Sequence, residues 1–307
     1  MMKEYAVKTE QLQKMYKQQK ALNGVSIHIE KGAIYGLIGR NGAGKTTLMK
    51  MITGLAYPTE GEVYLYGENV KTDSRNRTRL GNLIENPGLY PQMTAFDNLH
   101  LQATAMGVYR KERMMELLEL VGLANVEGKK VRNYSMGMKQ RLGIAMALLG
   151  SPDMLILDEP INGLDPQGII EVRELLTRLN QERNMTILIS SHILDELSRI
   201  ATHYGIINSG SLIMELTAEE LHARCAEKIE LVTSDNAKAG VVLEGMGITD
   251  YQVVDDKTIH VFSCVDRSME INQKMITSNV PVLSIQVKTD SLEEFFLKAT
   301  AIDRRDK

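Results

Sequence analysis

The run Gly39-Arg40-Asn41-Gly42-Ala43-Gly44-Lys45-Thr46 constrains this chain more than any other feature. It fits GxxxxGK[ST] and sits between an apolar run ending at Ile38 and a helical run starting near Thr47. Glycines there let the backbone wrap closely round phosphate oxygens, so that consecutive N–H groups point inward and the following helix presents its positive N-terminal end. Lys45 then neutralises the outer phosphates, and the Thr46 hydroxyl suits a Mg²⁺ ion that triphosphate oxygens also bind.

The first two-thirds of the chain alternates short β-branched runs with longer amphipathic ones, which predicts an α/β fold with a mainly parallel sheet. Strands are expected at Ala33 to Ile38, Met154 to Leu157, Met185 to Ser190 and His203 to Asn208, and helices at Lys111 to Val121 and Gly168 to Glu182. The Met154 strand carries Asp158 and Glu159 out at its C-terminal end, where ligands bind in open α/β sheets. Asp158 is expected to hold Mg²⁺ through water, and Glu159 to orient or deprotonate an attacking water. Adjacent buried carboxylates without a cation would be costly, which favours this reading over a purely structural one.

After Leu216 the rhythm changes. A helix is expected at Thr217 to Ala226, a strand at Lys228 to Thr233 and a helix at Ala237 to Met246 ended by Gly247. Tyr251 to Val254 and Thr258 to Phe262 then pair across an Asp-Asp-Lys turn, followed by a helix at Arg267 to Ser278, a strand at Val282 to Val287 and a helix at Leu292 to Thr300. The order β-α-β-β-α-β is that of the ferredoxin-like split motif. Two domains are therefore expected, residues 1–216 binding nucleotide and residues 217–307 forming a small α+β accessory domain.

With 43% apolar and 24% charged residues the composition is that of a globular protein, and a net charge of -3 disfavours nucleic acid as a partner. Cys225 and Cys264 lack the spacing of a zinc or redox site and are expected to be ordinary thiols. The N-terminal residues lack the continuous apolar core of a signal peptide, and no stretch approaches the ~20 apolar residues of a membrane span. Any membrane role is expected to be borrowed from a partner.

A phosphate loop and an acidic strand end leave kinases, GTPases and motor ATPases open. Tyr134-Ser135-Met136-Gly137-Met138-Lys139-Gln140-Arg141-Leu142, shortly before the Asp158 strand, narrows the choice, because it resembles the signature of ABC ATPases. Asn162-Gly163-Leu164-Asp165 resembles their D-loop, His192 their switch histidine, and Tyr16 the aromatic that stacks on adenine. Taken singly, Tyr16 also suits a surface aromatic, His192 a helix cap and Asp165 a helix N-cap before Pro166.

The resemblance covers about Tyr5 to Glu215 and implies a P-loop ABC ATPase domain with a RecA-like core, an antiparallel β part and a helical subdomain. It implies ATP and Mg²⁺ as cofactors, with nucleotide held by Tyr16 and by Gly39, Arg40, Asn41, Gly42, Ala43, Gly44, Lys45, Thr46 and Thr47. Lys45, Glu159 and His192 are the implied catalytic residues, and Thr46, Asp158 and Glu85 the expected metal set. Ser135, Met136, Gly137 and Met138 are implied to close on ATP held by a second copy or a close paralogue, with Asp165 in the D-loop.

Departures from the usual pattern refine the resemblance. Met136 stands for a glycine and Met138 for a glutamine, so the Met136 side chain has to point away from the phosphate. Glu85 stands where the family has its Q-loop glutamine. This combination resembles the ATPases of bacitracin-export and lantibiotic-immunity transporters of Gram-positive bacteria. It implies a subunit at the cytoplasmic face of the membrane that energises a separate polytopic permease exporting peptide antibiotics. Asn86 to Pro91 and the helix near Thr94 to His100 are then expected to receive the permease. Sodium or drug export by the same engine is an alternative cargo, and a soluble ABC ATPase acting on ribosomes or DNA is disfavoured by the acidic balance.

Overall fold

The computed structural model describes residues 4–126, 128–225, 227–289 and 292–302. The chain divides into two compact units, the first running to Ala218 and the second beginning at Glu219.

In the first unit β1 (Tyr5–Tyr16), β2 (Gln19–Val25) and β3 (His28–Glu30) precede β4 (Ile34–Ile38), which ends at the glycine loop, and α1 (Lys45–Thr53) leaves it. Next come β5 (Glu60–Leu65), β6 (Glu68–Asn69) and β7 (Leu80–Leu83), then three helices, α2 (Ala95–Ala105), α3 (Lys111–Leu120) and α4 (Met136–Ala147). The unit closes with β8 (Met154–Leu157), α5 (Pro166–Arg183), β9 (Thr186–Ser191), α6 (Leu194–Ser198), β10 (His203–Asn208) and β11 (Ser211–Thr217).

These strands form two sheets. An antiparallel one runs β2-β1-β5-β6 with β3 also paired to β1, and a second runs β11-β10-β4-β9-β8-β7. Every pair in the second sheet is parallel except β10 with β11. β4, β8 and β9 bury every residue, the pattern of strands covered on both faces. α1 buries Leu48, Met49, Met51 and Ile52 in a core that also takes Val7, Leu12 and Val63 of the antiparallel sheet and Leu37, Ile156 and Leu188 of the parallel one. β4 and β8 flank β9, so the glycine loop and Asp158 emerge at the same end of the sheet.

α7 (Ala218–Arg224) leads into the second unit, which contains β12 (Glu227–Thr233), α8 (Asn236–Gly245), β13 (Tyr251–Val253), β14 (Thr258–Val261), α9 (Ser268–Thr277), β15 (Val282–Thr289) and α10 (Leu292–Ile302). Its sheet runs β13-β14-β12-β15, antiparallel throughout. β12 to β15 with α8 and α9 reproduce the β-α-β-β-α-β order, around a core that includes Ile229, Leu231, Leu243, Ile259, Ile271 and Met275.

Element ends differ where side chains compete for them. Thr217, expected to open a helix, ends β11 opposite His203, as suits a β-branched residue; Ala226 lies outside the described residues. Arg267 closes a short 3₁₀ turn and α9 starts at Ser268. Among the described residues Cys225 and Cys264 form no disulfide. Among the described residues no helix is long and apolar enough to cross a membrane.

Candidate functional site

A cavity of about 610 Å³ opens at the glycine loop and is lined by Arg40 to Thr47, Tyr16, Gln19, Lys20, Ala21, Glu159, Ser209 and Gly210. Gly42, at φ 80°, has nothing within 4 Å of where a Cβ would stand, so its backbone faces open space. Gly44, at φ 109°, is closed in instead: a Cβ there would lie 2.6 Å from the Leu22 side chain and 2.8 Å from the Ala21 carbonyl. The N-terminus of α1 has no side-chain cap and no acidic residue in its first turn, which leaves its amides and positive dipole end available to an anion.

Lys45 is almost wholly buried, and its Nζ donates to the Gly39 carbonyl at 2.6 Å and the Arg40 carbonyl at 3.3 Å. The same ammonium lies 3.1 Å from Glu159 Oε1. That oxygen is shielded from solvent and has no hydrogen-bond donor aligned on it, so it retains a lone pair for a further donor. Glu159 Oε2 lies 2.8 Å from His192 Nδ1. His192 does not cap α6, whose N-cap is Ile193 with no side-chain bond. Glu159 itself has φ 48°, a left-handed backbone of the kind that clusters at functional sites.

Thr46 Oγ1 donates to Asp158 Oδ2 at 2.6 Å, and Ser190 Oγ donates to Asp158 Oδ1 at 2.5 Å. This all-oxygen set suits a hard cation such as Mg²⁺. Among the described residues no three His, Cys, Asp or Glu side chains gather into a metal cage. The third residue of the expected metal set is engaged elsewhere. Glu85 has φ 65° and is 63% exposed at its side chain, and its carboxylate is ion-paired with Lys50 of α1.

Ser135 is the N-cap of α4, its Oγ accepting from the Met138 amide at 3.2 Å. Met136 is exposed, and its Cε would lie 3.1 Å from a Cβ on Gly163, so the thioether covers the D-loop glycine. Gly137 is buried and Met138 half-buried. None of these four residues lines the glycine-loop cavity. Asp165 caps α5, accepting from the Gly168 amide at 3.2 Å, with Pro166 at the first helical position. Tyr16 lines the cavity while remaining 47% exposed, and Lys14 Nζ stands 5.0 Å from its ring centroid.

Sequence reasoning missed Ser190, which also accepts from the Glu159 amide at 2.8 Å. The only signal was its place at the end of a buried strand. It also missed Ser209 and Gly210, whose positive φ values of 47° and 80° mark the β10–β11 hairpin turn. A second cavity, of about 300 Å³, is bordered by Leu80 to Ile84, Asn86, Pro87, Gly88, Gln102, Met106, Gly143, Met146 and Ala147. It brings the loop after β7 against α2 and α4.

A family model described as ABC transporter matches residues 22–162, and one described as AAA domain, putative AbiEii toxin, Type IV TA system matches residues 127–198. The chain is 44% identical over 294 residues to the bacitracin transport ATP-binding protein BcrA of Bacillus licheniformis, covering 95% of this chain and 96% of that one. It is 45% identical over 209 residues to the lantibiotic transport ATP-binding protein SrtF of Streptococcus pyogenes, covering 68% of this chain and 90% of SrtF. Among solved structures it resembles the dimeric post-hydrolysis state of the ATP-binding cassette MJ0796 bound to ADP and Pi. The TM-score is 0.62 with 26% identity, over 69% of this chain and 98% of that one.

Proposed function

The chain belongs to the ATP-binding subunits of ABC transporters and is an ATPase, and from that premise we propose that it energises export of a peptide antibiotic of the bacitracin type. The observation that carries this cargo is 44% identity to BcrA sustained over nearly the whole chain. The likeness to BcrA takes in 95% of this chain, and so most of its second unit. SrtF has 90% of its own length used within 209 matched residues, too little to hold a counterpart of both units. Residues 1–216 are then the engine and residues 217–307 an accessory domain.

In this reading the α1 amides, Lys45 and Arg40 to Thr47 hold the triphosphate of ATP, and Tyr16 stacks on the base. Thr46 and Asp158 hold Mg²⁺, which when bound offsets charge on the phosphate oxygens. Glu159 Oε1 accepts a proton from the attacking water while His192 fixes Oε2. Ser135 and the Gly137 amide serve a nucleotide held by a second copy, which explains why they stand apart from the cavity lined by Lys45. The groove at Leu80 to Gly88 receives a cytosolic helix of a polytopic permease, which holds the chain at the inner face of the membrane.

The test is a deletion strain challenged with bacitracin. Loss of the gene should raise sensitivity, wild type should restore resistance, and Glu159→Gln should not. The tagged chain should also carry a polytopic protein out of solubilised membranes. Unchanged bacitracin sensitivity alongside altered tolerance to sodium or another drug would assign the engine to a different cargo.

A further inference from the structure

Glu85 and its neighbours face different ways. Ile84 and Asn86 border the 300 Å³ groove, whereas the Glu85 carboxylate reaches Lys50 on α1. Lys50 lies four residues after Thr46, so the two project from one face of the helix. That face meets the ends of two adjacent parallel strands. Thr46 bonds Asp158 beyond β8, and Lys50 bonds Glu85 beyond β7. The Asp158 amide is itself bonded to the Leu83 carbonyl at 2.9 Å, which keeps the two strand ends in step.

We propose that Lys50 is a positioning residue for Mg-ATP binding: it holds the Glu85 carboxylate one helical turn from the Thr46–Asp158 contact and cancels its charge near the bound triphosphate. This rests on the reading of the Lys45 loop as the ATP site. As a source of stability the pair contributes little, because Lys50 is 31% and Glu85 63% exposed. Its effect is on where negative charge stands. Without the ammonium, a carboxylate on a loop beside the metal ligands repels an anionic substrate before it reacts.

Steady-state ATPase assays on the full-length chain test this with Lys50→Met, Lys50→Arg, Glu85→Gln and the Lys50→Met/Glu85→Gln double variant. Lys50→Met should raise KM for Mg-ATP by about fivefold while changing kcat less than about twofold, with an unaltered melting temperature. Lys50→Arg should behave as wild type, and the double variant should return to the KM of Glu85→Gln alone. A silent Lys50→Met, or an equal defect in the single and double variants, overturns the proposal, since Lys50 would then be idle or acting without Glu85. A wild type without ATPase activity overturns the underlying site assignment and this inference with it.

Discussion

His192 Nδ1 stands 2.8 Å from Glu159 Oε2, linking the loop after β9 to the end of β8. The same carboxylate meets Lys45 on its other oxygen at 3.1 Å. Glu159 is thus oriented from two sides, and the oxygen nearer the phosphate loop is the one with no aligned donor.

Replacing Glu159 should separate binding from turnover. Glu159→Gln keeps the shape and loses the proton acceptor, so turnover should fall by about 100-fold or more while ATP is retained and dimer accumulates. Phosphate release and size-exclusion chromatography with ATP measure the two effects, and a variant that turns over normally removes Glu159 from the mechanism.

Ser190→Ala should damage both stability and activity. The buried hydroxyl donates to Asp158 and accepts from the Glu159 amide, so its loss leaves two buried groups unpaired at a cost of about 1–3 kcal/mol. Thermal melts should drop by several degrees, and hydrolysis should require more Mg²⁺ as Asp158 loses its orienting partner. Wild-type Mg²⁺ dependence would make Ser190 a packing residue only.

Tyr16→Ala should raise KM for ATP by about tenfold with kcat nearly unchanged, while Tyr16→Phe keeps the stacking face. Competition by tripolyphosphate, which has no base, should be the same in all three proteins. Equal KM values for wild type and Tyr16→Ala would return Tyr16 to the status of a surface aromatic.

In the second unit Lys288 donates to Glu230 Oε1 at 2.7 Å and Gln286 donates at 3.1 Å. The hydrogen bond from Lys288, and then that from Gln286, hold the Glu230 carboxyl below its ordinary value against the opposing effect of burial. A depressed folded value means stability fully present above the unfolded carboxylate range and lost as pH falls through the folded value. Glu230→Gln should therefore lower stability at pH 7 by about 1 kcal/mol and make no difference near pH 2. A destabilisation independent of pH, seen in denaturant melts, would point to packing instead.

The parts of the site that lie close together in the chain were legible in the sequence. Arg40 to Thr47 line the cavity as expected from spacing alone, because a phosphate cradle is built from consecutive backbone groups. Within the split order of β12 to β15, β12 from Ile229 onward and β14 alternate buried and more open positions, a period readable in the sequence. Less was legible where partners come from separate strands. Ser190 carries no motif, and its role appears only when β9 brings it beside Asp158.

The amino-acid sequence by itself determined the α/β class, the phosphate loop, the acidic strand end and the family, because these depend on residue type and local spacing. Only the tertiary structure decided which residues meet. It joined Thr46 to Asp158, Glu159 to His192 and Glu85 to Lys50. The physical reason is that a helix brings residues four apart onto one face and a parallel sheet aligns strand ends far apart in sequence. The fate of a lone carboxylate such as Glu85 therefore depends on the neighbour that folding supplies.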